Sequence, residues 1–529
     1  GLLGPNRARL FAGRSPIKHV IYIIKENRTY DQVFGDVAAS GDGTKADGDR
    51  SLAIFGGSDA AARPDGRKQD ITPNHRALAL RFGLLDRFFV NSEASPDGHN
   101  WSTAAFSTDY VDKAFRWNYG RRGRTYDYEG FNRLPNYSVV SGSPSMFGPD
   151  VKTEDVADFL RKYIPYLQGD RDVAEPKTLY LWDAAARAGL TYRNYGEFLA
   201  TLSEADIKEI KDNRDKTYPD ISATVSAFPT KQSLEGRFNT HYRNFDMATP
   251  DAMTVDSYRA AREGNAEPLI SNSHSVRRFR GNSRFGAWLD EFRVFAAERT
   301  AGTADRLPNL SVLRLSNDHT DGLAANKPTP QFYVADNDYA LGLLVEAVSN
   351  SPYWRDTCIV VVEDDAQDGP DHVDAHRSVA LLISAYNRPG LLVHEFHNTV
   401  SLIRTFELLL GIEPMNQLDA TATPIDIFRA EPDLLPYKPP LPEVALHNLL
   451  TPPARDAAMA YWMRRTAEQD MAHADMADPE TLNRIIWFSV RGSTPMPPIA
   501  RLPIFDAMRI GLQEEPEEIA EERHKDPND

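Results

Sequence analysis

Val20-Ile21-Tyr22-Ile23-Ile24-Lys25-Glu26-Asn27-Arg28-Thr29-Tyr30-Asp31 is the stretch on which the fold turns. Residues 20–24 form an unbroken apolar, mostly β-branched run with no polar alternation. That pattern suits a strand covered on both faces, as in a parallel sheet, rather than a half-exposed antiparallel strand. The run stops at a polar cluster, Lys25 to Thr29. A buried strand ending in Glu and Asn delivers polar groups to the edge of a sheet, where open parallel sheets build their sites.

Working outward, further apolar runs at 84–90, 310–315, 357–362 and 378–384 read as strands. Helical patterns occupy 74–82, 97–110, 334–349 and 398–410. This alternation predicts an α/β fold: a mostly parallel sheet with helices on both faces. Residues 36–50 are rich in Gly and Asp and read as a loop. From about 115 to 305 the chain is less regular, with helical islands at 178–188 and 283–298, and reads as large cap insertions over the site. Pro-rich segments at 432–442 and 452–453 introduce a C-terminal helical appendage, and the acidic tail from Glu514 reads as solvated. The expected organisation is an N-terminal extension (1–16), a main domain (17–430) with the cap insertions around 115–305, and a C-terminal helical extension with its acidic tail (431–529).

The chain has 529 residues and a formal net charge of −16. Such a surface repels nucleic-acid backbones, so no nucleic-acid partner is expected. No apolar run approaches the length of a transmembrane segment. Cys358 is the only cysteine, so no intrachain disulfide forms. The numbering starts at Gly1 without an initiator methionine, and the expectation is a periplasmic or secreted protein whose leader or longer N-terminal region has been removed. Nothing in the composition sets an oligomeric state.

Four strand ends carry polar clusters. They are Glu26-Asn27; the segment around Ser95; Asn317-Asp318-His319; and Glu363-Asp364-Asp365, with Asp371-His372 and Asp374-His376 close behind. Each has a bland reading. Glu26 could cap the next helix or pair with Arg28, and Asp364-Asp365 could be a solvated turn. His372 and His376 have a metal-ligand spacing if helical, but Gly369-Pro370 just before them suggests a loop. Ser95, in Glu93-Ala94-Ser95-Pro96-Asp97-Gly98-His99, could be a helix N-cap, with Asp97 competing for that role. Taken together the clusters favour function. Two adjacent carboxylates are costly to bury without a cation, and carboxylates, an amide and imidazoles at one sheet edge suit a divalent ion. A serine between a strand and a helix has the helix amides beside it for a phosphate, and a metal on its oxygen favours the alkoxide. Asp36, Asp42, Asp47 and Asp49 make a calcium loop conceivable, but their spacing does not match an EF-hand, and a plain surface loop is the better reading.

These motifs resemble a known family. Residues 17–35, with Glu26-Asn27-Arg28-Thr29-Tyr30-Asp31 and then Phe34-Gly35, are similar to the opening of the bacterial phosphoesterase family of phospholipase C and acid phosphatase AcpA, within the alkaline-phosphatase superfamily. Thr72-Pro73-Asn74-His75, Ser95-Pro96-Asp97-Gly98-His99, Leu315-Ser316-Asn317-Asp318-His319-Thr320 and Glu363-Asp364-Asp365 through Asp371-His372-Val373 follow in the family's order. The resemblance runs from about residue 17 to 500 and is weakest between about 200 and 280. It implies an alkaline-phosphatase-like fold and a metal-dependent hydrolase of phosphate esters. Ser95 would be the nucleophile, passing through a phosphoseryl intermediate. His319 and His372 would assist catalysis, and Asn27, His75 and His99 would meet the substrate. Glu26, Asn27, Asp364 and Asp365 would hold the metal, with Asp318 and His376 as further candidate ligands. The implied cofactor is one or two divalent ions, with zinc, calcium, magnesium, manganese and iron all open. The implied substrate is a small phosphate ester or a phospholipid head group. The first reading is a phosphomonoesterase; the alternatives are a phospholipase C-like diesterase and a non-catalytic binding module. The chain departs from the superfamily's two-zinc pattern: Asp364-Asp365 stands in place of an Asp-His pair. The family's Gly-Pro-Thr form of the nucleophile segment is not reproduced at Ser95.

Overall fold

The computed structural model describes residues 11, 14–57, 59–61, 66, 68–113, 172, 174–201, 227–240, 242, 247, 249–252, 283–367, 369–444, 450–469, 471 and 477–497. A five-stranded sheet in the order β4-β7-β1-β8-β9 forms the centre. Its strands are β1 (His19–Lys25), β4 (Tyr192–Tyr195), β7 (Leu310–Leu315), β8 (Thr357–Glu363) and β9 (Ala380–Ser384). β1 runs parallel to both β7 and β8, and β4 runs parallel to β7. Only β9, at the edge, is antiparallel to its neighbour. The protein is thus an α/β fold with a mostly parallel sheet.

The helices are α1 (Tyr30–Phe34), α2 (Pro73–Phe82), α3 (Ser95–Ala104), α4 (Leu181–Arg187), α5 (Arg284–Ala301), α6 (Pro330–Ser349), α7 (Thr399–Leu410), α8 (Gln417–Thr421), α9 (Ala457–Ala467) and α10 (Pro479–Arg491). Every residue of β1, β7 and β8 is buried, as an unalternated apolar run requires. The Tyr22 ring packs 5.0 Å from Phe406 of α7, and its hydroxyl donates to the Ser102 carbonyl of α3. His19, three residues away, points to the opposite face. Its ring lies 5.2 Å from Tyr353, which in turn meets Phe292 of α5. Helices therefore cover both faces.

Some elements differ from the sequence expectation. The predicted strand 84–90 is two short strands, β2 (Leu84–Leu85) and β3 (Phe88–Phe89). They pair with β10 (Leu392–Val393) and β11 (His397–Asn398) outside the central sheet. The break falls at Asp86, whose buried carboxylate accepts from the Asp47 backbone and pairs with His394. The helix expected at 97–110 ends at Ala104, because Ala105 takes φ 51°. The region read as cap insertions also supplies β4 and α5 to the core, together with the small antiparallel pair β5 (Leu199–Thr201) and β6 (Ala227–Pro229). Its remaining stretches, residues 114–171, 202–226 and 253–282, lie outside the described residues, as do the first ten residues and the tail from Glu514.

α9 and α10 share a small apolar cluster of Leu323, Met459, Ile485 and Phe488. Gly1–Thr494 forms one compact unit, and Pro495–Asp529 is a second. Among the described residues no helix is long and apolar enough to cross a membrane.

Candidate active site

Register brings the strand ends level. Lys25 stands opposite both Leu315 and Glu363, so the residues that follow β1, β7 and β8 emerge at one edge. The turns there are tight. Asn27, Phe198, Thr320 and Gln367 all have positive φ (66°, 48°, 70° and 44°). Asparagine tolerates that region; the others pay for it, and such outliers gather where a site is built.

Ser95 begins α3 but does not cap it. Ala94 holds the cap position, and Asp97 reaches back to accept from the amides of Glu93 and Ala94, 3.1 Å each. Burial pushes the Asp97 carboxyl up to about 7 against those two hydrogen bonds. The buried Ser95 hydroxyl is left to the sheet edge, where it donates to Asp365 Oδ2 at 2.7 Å. The Asn27 amide faces Asp364 Oδ1 at 2.8 Å, Ser95 Oγ at 3.2 Å and Asp365 Oδ2 at 3.3 Å. In the absence of a cation its nitrogen must face these acceptors, since carboxylates donate nothing. Around a cation the amide oxygen takes that place. Oxygens about 3 Å apart match adjacent ligands on an ion with bonds of about 2.1 Å. Ser92 donates to the Asp364 carbonyl, and Gly98 lets the first turn of α3 lie against it, because a Cβ there would come within 2.7 Å of that oxygen.

Among the described residues the charges around this point do not balance. Glu26, Glu197, Asp318, Glu363, Asp364 and Asp365 are all buried here, against the buried cations Lys25, Arg28 and Arg314. A divalent cation would offset the surplus, so the donor set fits one. Glu26 accepts from Arg314 Nε at 2.7 Å; despite burial, Arg314, His99 and His319 hold its carboxyl below the ordinary range. Lys25 Nζ sits 2.8 Å from Asp318 and 2.7 Å from Glu363, and Asp318 also accepts from the Glu26 amide. Burial and the Asp318 charge push Glu363 up to about 8, with Lys25 opposing. Asp318 is thus engaged by Lys25 and by the Glu26 backbone just after β1. His319 faces its own neighbour, with Nδ1 at 3.1 Å from the Thr320 carbonyl; burial lowers its pKa and favours the neutral ring. Arg28 donates to the His319 carbonyl. His99 Nδ1 lies 3.1 Å from Glu197, and its Nε2 lies 3.7 Å from Glu26 and 3.5 Å from Asp364.

Other sequence candidates are engaged elsewhere. His75 Nδ1 is 2.6 Å from Asp338 of α6, and Asn74 donates to the same carboxylate, so this motif joins α2 to α6. His372 lies between Asp31 (2.6 Å) and Asp47 (3.1 Å). His376 pairs with Asp374 and Glu93. Asp31, Asp371 and His372 form a second group of potential ligands, but the buried Arg377 guanidinium already reaches both carboxylates, at 2.9 Å each. In the 36–50 loop, Asp42 accepts from the Thr44 amide and Asp36 from that of Gly57, while Asp47 meets the side chains of Arg87 and His372.

Sequence reasoning missed Glu197, Arg314 and Lys25. Glu197 follows a fifth strand end, signalled by Gly196 (φ 119°) after Tyr192–Tyr195. Arg314 and Lys25 were readable as charges within or ending apolar runs, which demand buried partners.

No protein-family model matches the chain, and no curated protein does. Among solved structures it is similar to an alkaline-phosphatase-superfamily protein from Vibrio parahaemolyticus (14% identity, 78% of this chain and 71% of that one, TM-score 0.37). It is also similar to the lipoteichoic acid synthase LtaP from Listeria monocytogenes (10%, 92% and 95%, TM-score 0.37). A third is the phosphonate monoester hydrolase of Agrobacterium radiobacter (14%, 77% and 76%, TM-score 0.35). These likenesses are loose, and the chemistry of the site stands on its own residues.

Proposed function

We propose that the protein is a metal-dependent phosphoesterase with Ser95 as nucleophile, acting first on phosphate monoesters. The observation that supports this most is the Ser95 hydroxyl, buried at the head of α3 and hydrogen-bonded to Asp365 at 2.7 Å beside Asn27 and Asp364. A divalent cation held by Glu26, Asn27, Asp364 and Asp365 would lower the serine pKa and draw charge from the phosphate. Ser95 Oγ attacks phosphorus as the ester P–O bond breaks, and the hydroxyl proton passes to Asp365, its nearest acceptor. The head of α3, where the Ser95 and Asp97 amides stand and Pro96 has none, would favour the developing negative charge. The proton taken by Asp365 passes on to the leaving alkoxide, and His319, kept neutral by burial, is suited to accept a proton from the incoming water. Water then cleaves the phosphoserine and returns the free hydroxyl.

Cys358 offers no rival nucleophile. It is buried in β8, and burial pushes its thiol up to about 12.

The test is hydrolysis of a nitrophenyl phosphate, its diester and the matching sulfate, with and without chelator. Chelator-sensitive turnover of the monoester is expected. Preference for the diester would make the protein a phospholipase C-like enzyme, and preference for the sulfate a sulfatase. No hydrolysis and no metal would support a binding module. Ser95→Ala is expected to lose turnover by at least about 10³-fold with the fold intact; near-normal activity would remove Ser95 from its role.

A further inference from the structure

Resting on the metal-dependent reading above, we infer that His99 is itself a metal ligand, oriented by Glu197, and that the ion is of the zinc class rather than calcium or magnesium. His99 lies four residues after Ser95 on α3, so both side chains leave the same face of the helix and point at the sheet edge. Glu197 Oε1 is the carboxylate oxygen facing Nδ1, at 3.1 Å but off the line of a hydrogen bond. A carboxylate accepts only, so the ring nitrogen 3.1 Å from Glu197 Oε1, Nδ1, carries the hydrogen in the neutral ring. The Nε2 lone pair then faces Glu26 Oε1 and Asp364 Oδ2, at 3.7 and 3.5 Å.

Glu26, His99 and Asp364 each offer one ligand atom, and all three atoms lie within 4.8 Å of one another. Neighbouring ligands on an ion with bonds near 2.0–2.1 Å stand about 3.0–3.3 Å apart, so the 3.7 and 3.5 Å edges from Nε2 need only a slight contraction. Calcium and magnesium prefer oxygen shells, whereas an imidazole with two carboxylates suits zinc or a neighbouring first-row ion. A carboxylate behind the ligating histidine is the usual partner of such a site. Glu26 also takes Arg314 on Oε1, which a carboxylate with several lone pairs accommodates. The alternative occupant is a proton: His99 as an imidazolium among three carboxylates.

The experiment strips the full-length protein with chelator and titrates zinc, magnesium and calcium chlorides by calorimetry. Cobalt(II) absorption reports nitrogen ligation, and near-ultraviolet circular dichroism reports the fold. Wild type is expected to bind zinc more tightly than magnesium or calcium. Glu197→Gln should weaken zinc by roughly 10–100-fold, and His99→Gln should weaken it more and alter the cobalt spectrum. Unchanged zinc affinity and cobalt spectrum in His99→Gln, or a wild-type preference for calcium or magnesium, overturns the assignment. If His99→Gln does not fold, Glu197→Gln decides: unchanged affinity and spectrum there overturn it. A protein that binds zinc through His99 yet hydrolyses no ester sinks the phosphoesterase reading alone. A hydrolase whose metal ignores His99 sinks this inference alone.

Discussion

Ser95 admits two readings from sequence, a helix cap and a nucleophile, and its neighbours separate them. Asp97 and Ala94 supply the cap, so the serine hydroxyl has no duty to the helix. Glu26, Asn27, Asp364 and Asp365 were legible because each directly follows a long apolar run, and the run tells where the side chain emerges. Glu197 was not legible, since β4 is short and its first two residues are only half-buried. His376 was read as a candidate ligand from spacing, yet its ring is 2.8 Å from Asp374 and 3.4 Å from Glu93. Those hydrogen bonds push its pKa up to about 10. A histidine pKa raised on folding adds stability that is fully present below the ordinary value near 6.5 and is lost as pH rises through the folded value. His376→Gln should therefore lower the urea midpoint at about pH 6 and make little difference at about pH 10.5. An equal loss at both would show that the ion pairs contribute nothing.

At the level of elements, Arg377 fastens the pieces that carry the site. Its buried guanidinium donates to Asp31 Oδ1 in α1 (2.9 Å), to Asp371 Oδ1 in the segment after Asp365 (2.9 Å), to the Asp47 carbonyl (2.7 Å) and to the Asp86 carbonyl (3.2 Å) ahead of Ser95. The Tyr30 ring lies 4.3 Å beneath it. Arg377→Met leaves two buried carboxylates without their cation, and a loss of about 3–5 kcal/mol is expected by urea unfolding. Adding Asp31→Asn should recover part of it; strictly additive losses would mean that the two side chains are not coupled. None of this network was legible, because its members are spread from residue 31 to 377 and join only through tertiary contacts. The strand read at 84–90 failed for the same reason: Asp86 is claimed by Asp47 and His394 and interrupts the pairing. The helices at 74–82 and 398–410 were within a residue of the sequence reading, their apolar faces being long and continuous.

Across the whole molecule, an acidic chain of net charge −16 builds a buried anionic edge at the place where the proposed function puts a phosphate. That is coherent only with positive charge at the centre, which the carboxylate surplus around Ser95 calls for. The parallel run of β4, β7, β1 and β8 is what converges their ends; for β7, β1 and β8 the parallel character was readable from unalternated apolar runs, whereas β4, Tyr192–Tyr195, carries no such run. The central claim is that Ser95 attacks phosphorus. The most direct measurement is an acid quench of the metal-loaded protein during turnover of a nitrophenyl phosphate monoester, followed by peptide mass spectrometry. The account predicts phosphate on Ser95 in wild type and none in Ser95→Ala. Turnover with phosphate trapped on another residue, or with Ser95→Ala still active, would contradict it.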